Sequence, residues 1–296
     1  VTSPVRIDLK GSIGARTIFR IPRFLVKVGL TLDDVLNDVS PNLPALPKGA
    51  DGYLVTSLPE HLTGSLRHSG LRYVERQRYT RRYADLTAGY AAYLDRFSSK
   101  TRSTLLRKHR RFADGAPDVR LYRTVGDMDE FERLARPLAQ RTYQERLLGA
   151  GLSDDLARMR ALAAEDAVRA FILFREGVPA AYLYLPAQGR VLIYAYLGYD
   201  PEFASLSPGN VLQLSALEML MQEGRFDRLD FTEGDGQHKA VFATGGVPCV
   251  DLLLLRPTMA NVLAAFAVTA FDATVARFRG IRDWPMVGRL LSDLRR

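Results

Sequence analysis

Val191–Gly246, read as VLIYAYLGYDPEFASLSPGNVLQLSALEMLMQEGRFDRLDFTEGDGQHKAVFATGG, limits what this chain can fold into more than any other stretch. Both alternating faces of Val191 to Tyr199 are apolar or aromatic: Val191, Ile193, Ala195, Leu197 and Tyr199 on one, Leu192, Tyr194 and Tyr196 on the other. A strand without a polar face is buried on both sides, which places it centrally in a sheet covered by helices. Ser207-Pro208-Gly209-Asn210 then opens a helix, with Ser207 expected as its N-cap and Pro208 at the first helical position. Ser215, Glu218 and Gln222 form one narrow polar stripe on that helix, almost everything else being Leu, Val, Met or Ala, and Gly224 is its stop signal. A strand feeding a small-residue turn and a free helix N-terminus offers backbone N–H groups to a phosphate.

The order of elements around this stretch is legible from Val119 onward. Val119 to Thr124 reads as a strand, and Asp127 with Glu130 as a capping box for a helix that contains Pro137. Ser153 is placed to cap a further helix reaching Asp166. Val168–Phe174 and Val178–Leu185 form a hairpin around Glu176-Gly177, and Ala187-Gln188-Gly189 returns the chain into the central strand. Strand Phe226–Phe231, a helical turn at Lys239–Phe242 and strand Val247–Leu255 follow. The order is β-α-α-β-β-β-α-β-α-β.

The N-terminal part is less regular. Short strands at Ile18–Phe24 and Gly52–Ser57, a short helix at Thr31–Leu36, a helix at Pro59–His68 and strand material from Leu71 to Leu86 make a partial α/β region, 1–95. The main domain is expected at 96–256 and amphipathic helices at 257–296, with Met259, Val262, Leu263, Phe266, Ala270, Phe271 and Phe278 turned inward. These helices are expected to pack on the N-terminal region or on a second copy in a homodimer; a basic amphipathic tail lying on a membrane is the competing reading.

One cysteine, Cys249, sits in the apolar run Val247–Leu255 and reads as a small buried hydrophobe, so no disulfide framework exists within the chain. No apolar run reaches the length of a membrane span and no signal peptide is visible at Val1, which gives a cytoplasmic expectation. His61 and His68 share a helix face but have no third ligand near them, so no metal is expected. The net charge of +8 is clustered. Arg96, Lys100, Arg102, Arg107, Lys108, Arg110 and Arg111 have no acid among them, on a helix capped by Ser98 or Ser99 and running to Phe112. A second group, Arg67, Arg72, Arg76, Arg78, Arg81 and Arg82, contains only Glu75 as an acid. Such a face is either simply solvated or a landing surface for a polyanion.

Gly198-Tyr199-Asp200-Pro201, Ser207-Pro208-Gly209, Asp230-Phe231 with Gly234-Asp235, and His238-Lys239 with Phe242 together resemble the acyl-CoA-binding core of the GNAT acyltransferase superfamily. Within it they resemble the branch found beside cellulose-biosynthesis proteins and related to Fem-type peptidyltransferases. That branch tends to carry Tyr where this chain has His238, and the superfamily's glycine-rich pyrophosphate loop is here Ser-Pro-Gly. The resemblance implies a GNAT-like mixed sheet flanked by helices, preceded by a smaller partial GNAT-like α/β half and followed by C-terminal helices.

The resemblance also implies an acyl group moving from the thioester of acyl-CoA, acetyl-CoA or an acyl carrier protein to an amine on a small molecule or peptide. The central strand would splay from its neighbour and pair with pantetheine through Leu197, Gly198 and Tyr199, with the pyrophosphate at Ser207, Gly209, Asn210 and Val211. Asp235 and Lys239 match the pattern residue by residue, and Lys239 occupies the lysine position that handles negative charge in Fem-type relatives. Glu233 and His238 are further candidates for the base, and Tyr194 and Tyr196 for protonating the departing thiolate. Ordinary loop acids and core tyrosines are the competing readings of these side chains. Two other functions stay open: transfer from an aminoacyl-tRNA docked on the basic helix 96–111, and an acyl-CoA-binding module without turnover.

Overall fold

Long alternating strands open the chain: β1 (Val5–Ile13) and β2 (Arg16–Gly29) form an antiparallel pair from Val5↔Leu25 to Ile13↔Arg16. The short strand expected at Ile18–Phe24 is the middle of this longer one, whose outer face carries the exposed Ile18 and Phe24. The computed structural model describes residues 3–13, 16–67, 70–113, 115–141, 152, 154–234 and 236–282. Thr31 and Asp34 exchange a capping box at α1 (Leu32–Leu36), and β3 (Gly52–Pro59) follows. The helix expected at Pro59–His68 is a 3-10 turn plus the single turn α2 (Thr63–Leu66). Next come β4 (Arg72–Asp85), α3 (Tyr90–Asp95) and α4 (Ser99–Phe112), the last capped by Ser98 through Thr101 N–H.

β5 (Asp118–Tyr122) leads into α5 (Val125–Arg141) and α6 (Leu156–Ala164). Two caps differ from the expectation. Thr124 and Asp127 bond each other's backbone N–H groups, so Asp127 is the inner partner of the box and Thr124 the outer one. Asp155, not Ser153, caps α6 by accepting from Arg158 N–H; Ser153 lies outside the described residues. The hairpin β6 (Val168–Arg175) and β7 (Val178–Gln188) turns at Glu176 and Gly177, both at positive φ. β8 (Val191–Ile193), β9 (Tyr196–Tyr199), α7 (Pro208–Glu223), β10 (Arg228–Asp230), α8 (Gln237–Phe242), β11 (Gly245–Leu255) and α9 (Met259–Arg282) complete the order.

The chain packs as two units, Val1–Tyr79 with Pro248–Arg296 and Thr80–Val247, dividing inside β4 and β11. In the first, the strand order is β1-β2-β3-β11-β4. Helix α9 covers it through Ala264, Ala265 and Val268, against Leu9, Leu25, Val74, Leu253 and Leu255. This corrects the expected inner stripe: Met259, Leu263 and Phe266 are 74%, 62% and 67% exposed. The helix carries two adjacent apolar stripes, and the one with alanines lets its backbone approach the sheet.

In the second unit the order is β4-β10-β8-β7-β6-β5, with β9 on β7 alone. Period-2 alternation on β6 sorts two cores. Phe171 and Leu173 meet α3, α4 and α7 on one face. Val168, Ala170, Ile172 and Phe174 meet α5 and α6 on the other.

Candidate active site

The apolar run Val191–Tyr199 is two strands rather than one, and the break between them makes the site. β8 runs parallel to β10 from Val191↔Arg228 to Ile193↔Asp230. One further bond, Tyr194 N–H to Asp230 O at 2.8 Å, closes this pairing. Past Tyr194 and Ala195 the chain continues as β9, whose recorded partner is β7, from Tyr196↔Tyr184 to Tyr199↔Ala181. The sheet therefore forks between β9 and the end of β10.

Hydrogen-bond phase decides which backbone groups face the fork. Asp200 N–H donates to Ala180 O at 2.9 Å, so Asp200, Gly198 and Tyr196 are the residues bonded to β7. The N–H and C=O groups of Leu197 and Tyr199 point to the other edge. Gly198, expected with them, is buried with its backbone in the β7 ladder. The break also flips the faces by one residue. Leu192, Tyr194 and Leu197 pack in the core under α7, whereas Ala195 and Tyr196 pack toward α5 and α6. Tyr194 and Tyr196, expected on one face, lie on opposite faces.

At the end of β9, Asp200 turns the chain. Its carboxylate accepts Glu202 N–H at 3.1 Å and Arg141 Nη1 at 2.6 Å. A 3-10 turn, Pro201–Leu206, ends at Ser207 in the left-handed region (φ 57°, ψ 50°), with no cap bond from the serine side chain. The expected Ser207 cap is thus replaced by its backbone: Ser207 O accepts Asn210 N–H at 3.0 Å and Val211 N–H at 3.3 Å. Gly209 lies against β9, because a Cβ there would stand 3.2 Å from Leu197 Cδ2 and 3.8 Å from Tyr199 Cδ1. The start of α7 therefore lies against the side chains of Leu197 and Tyr199, the two residues whose backbone groups point to the open edge.

The other side of the fork is the turn after β10. Asp230 is buried and pairs with the buried Arg81 of β4 at 2.6 Å. Thr232 follows at φ 60° and Gly234 at φ 93°. Glu233 is exposed, and Lys239 Nζ donates to its backbone carbonyl. Asp235 and the side chain of His238 lie outside the described residues. On the α7 side, Tyr194 OH donates to Gln213 Oε1 at 3.4 Å and its ring meets Phe231. Burial raises the Tyr194 hydroxyl far above its usual range and pushes that of Tyr184, beside Tyr196, up to about 12.

Three partnerships were not read from the sequence: Asp230–Arg81, Asp200–Arg141, and His109 Nε2 with Ser215 Oγ at 3.0 Å between α4 and α7. Burial lowers the His109 pKa. An acid ending an apolar strand is a signal for the first; its distant arginine is not. Half of the second basic group is compensated: Arg76 pairs with Asp272, Arg78 with Glu75 and Glu60, and Arg81 with Asp230. On α4, Arg102 pairs with Asp95, while Lys100, Arg107, Arg110 and Arg111 are exposed with no ion pair among the described residues. His61 pairs with Asp38 at 2.9 Å, and His68 lies outside the described residues. Among the described residues no three His, Cys, Asp or Glu side chains gather as for a metal, and no helix is long and apolar enough to cross a membrane.

Residues 99–240 match the family described as acetyltransferase (GNAT) domain. The segment is a GNAT-like domain. Similar solved structures include the C-terminal DUF2156 domain named for lysylphosphatidylglycerol synthetase from Agrobacterium fabrum, at 14% identity, covering 77% of this chain and 73% of that one, with a TM-score of 0.53. Another is FemX, at 11% identity, 89% and 91% coverage and a TM-score of 0.51. At these identities the likeness is one of fold. No curated protein matches the chain. The GNAT-like match spans α4 through the first residues of α8, and so includes both sides of the fork.

Proposed function

We propose that this protein is an acyltransferase that holds an acyl thioester of CoA in the fork and passes its acyl group to an amine by direct attack in a ternary complex. The observation that carries the reading is the outer edge of β9 at Leu197 and Tyr199, without a strand partner among the described residues, with the start of α7 against those two side chains. Pantetheine amides pair with that edge, and the pyrophosphate lies at the Ser207–Val211 helix start, where backbone dipoles favour anions.

The amine nitrogen attacks the thioester carbonyl, the C–S bond breaks, and the nitrogen's surplus proton leaves to a base while the thiolate takes a proton. No covalent enzyme intermediate is needed, since the thioester is already activated. Holding both reactants in line supplies several kcal/mol, up to about 7–11 in the best intramolecular cases. Asp235 and Glu233, at the turn beyond β10, are assigned to the proton and Lys239 to the developing negative charge, with His238 as the alternative base. Tyr196 is assigned to the thiolate; it is the half-buried tyrosine of β9, whereas Tyr194 is deep in the core.

The uncompensated cations of α4 favour a second reading in which the donor is borne by a polyanion, an acidic carrier protein or a charged tRNA. A docked macromolecule engages many charges, so its binding falls steeply with salt, whereas CoA binding falls little.

The test is calorimetric titration with acetyl-CoA, on the parent and on Gly209→Val. The parent is expected to bind. The valine branches meet Leu197 and Tyr199 at the helix start, so the variant should melt near the parent and lose about 100-fold or more in affinity, about 2.7 kcal/mol. Unchanged affinity in a folded Gly209→Val protein removes the phosphate from this helix start. Parent protein that binds neither acetyl-CoA nor CoA removes the donor reading.

A further inference from the structure

We infer that Asp230 and Arg81 form a clasp that sets where the sheet forks and fixes the turn leading to Glu233, making them a positioning pair for a donor in the fork. The effect on the donor rests on the function proposed above; the effect on the backbone does not.

Several bonds converge on Asp230, the last residue of β10. Its main-chain carbonyl accepts Tyr194 N–H at 2.8 Å, the final link between the two central strands. Its Oδ1 accepts Thr232 N–H at 2.8 Å, holding a β-branched residue at φ 60°. Its Oδ2 accepts Arg81 Nη2 at 2.6 Å, and Arg81 Nε lies 3.4 Å from Oδ1. One residue on, Phe231 N–H donates to Arg82 O at 3.0 Å, so the chain stays on β4 while β9 departs. The fork opens between Tyr194 and Phe231, whose ring centroids are 5.4 Å apart.

Stability alone does not account for this pair. The side chains are 9% and 3% exposed, and a buried ion pair is often no better for stability than apolar residues of the same volume. Left-handed backbone at a β-branched residue is itself unfavourable and persists where its surroundings over-determine it. An apolar pair would fill the space but could not receive the Thr232 N–H. The carboxylate is needed to bend the turn, and the arginine keeps that carboxylate aimed.

The experiment compares the parent with Arg81→Met, Arg81→Lys and the double variant Arg81→Met/Asp230→Leu. Three measurements are made on each: thermal melting, amide hydrogen exchange at Tyr194 and Thr232, and acetyl-CoA titration. Arg81→Met leaves a carboxylate buried without its cation and should melt lowest. The double variant should regain most of the lost melting temperature, yet exchange at Thr232 at least 10-fold faster than the parent and bind acetyl-CoA at least 10-fold more weakly. Arg81→Lys keeps the charge and should exchange within about 3-fold of the parent at Thr232. Parental exchange in the double variant overturns the clasp. So does Arg81→Lys exchanging at Thr232 10-fold or more faster than the parent, which keeps the test decisive if the double variant fails to fold. Fast exchange with parental acetyl-CoA affinity overturns the positioning role alone. If the parent itself binds no acetyl-CoA, the donor reading fails while the exchange arm still decides the clasp.

Discussion

Asp230 in one unit and Asp251 in the other perform the same local task with opposite outcomes for the sheet. Each is buried, and each accepts the N–H of a residue in the left-handed region, Thr232 at φ 60° and Ser57 at φ 59°. Asp251 also has a tyrosine partner: Tyr79 OH donates to Oδ1 at 3.1 Å and lies 2.7 Å from Ser57 Oγ. The irregularity there is a bulge between Val250 and Leu252, after which pairing with β3 resumes down to Leu255↔Gly52. β3 also pairs with β2 from Gly52 to Thr56, so it has neighbours on both edges. Around Asp230 there is no bulge to restore pairing; β9 leaves β10 and keeps β7. A sheet can heal an interruption by adding a residue, or leave it as an open edge. Here the open edge leaves the main-chain groups of Leu197 and Tyr199 without a strand partner among the described residues.

The largest effect should come from proline on either side of that edge. Gly198 exchanges bonds with Tyr182 in the ladder, so Gly198→Pro removes a buried donor and should destabilise by about 3 kcal/mol or more, by analogy with interior proline. Leu197 directs its N–H to the open side, where proline is tolerated as on an edge strand. Leu197→Pro loses some packing under α7 but no ladder bond, so it should melt above Gly198→Pro and lose about 10-fold in acetyl-CoA affinity, the worth of one hydrogen bond. Equal melting losses for the two would show that β9 is paired on both edges.

Next in size is Asp251→Ala. It removes the acceptor of Ser57 N–H and one partner of the Tyr79 hydroxyl, and a buried donor left unsatisfied costs about 1–3 kcal/mol. A loss of roughly 2–4 kcal/mol in denaturant unfolding, with acetyl-CoA affinity held within 2-fold, is expected. A large affinity loss in a variant that still folds would mean that the healed interruption also serves the ligand.

These asymmetries separate what the chain announces from what it conceals. Residue patterns announced β6, β7, β11, α4 and α7, because each has an unbroken period and a clear stop such as Gly177 or Gly224. The break at Tyr194-Ala195 is concealed: every residue there is apolar or aromatic, so a one-residue change of face leaves the pattern unaltered. Ser207 has a capping residue's identity but a left-handed backbone, at the end of the 3-10 turn that Asp200 caps. Arg81 read as one more cation in a basic run; only the register Tyr83↔Asp230 brings β4 beside the acid. In α9, two apolar stripes competed, and the smaller side chains won the sheet.

The smallest effect concerns His109, on the α4–α7 contact rather than at the fork. Its Nε2 meets Ser215 Oγ at 3.0 Å, and burial lowers its pKa, so the folded protein resists protonating it. The unfolded chain takes up that proton near pH 6.5, the ordinary histidine value. Below that pH the unfolded state therefore binds more protons than the folded one, and stability falls as pH falls, until the lowered folded pKa is passed. One group changes stability by at most about 1.4 kcal/mol per pH unit. His109→Gln can keep a hydrogen bond to Ser215 without titrating. The difference between parent and variant unfolding free energies should be flat from pH 8 to 7 and should shift against the parent between pH 6.5 and 5. Meanwhile acetyl-CoA affinity at pH 7 stays parental. A difference that is flat to pH 5 would mean His109 charges freely in place. A shift in the parent's favour on acidification would mean that an acid partner, not burial, governs the ring.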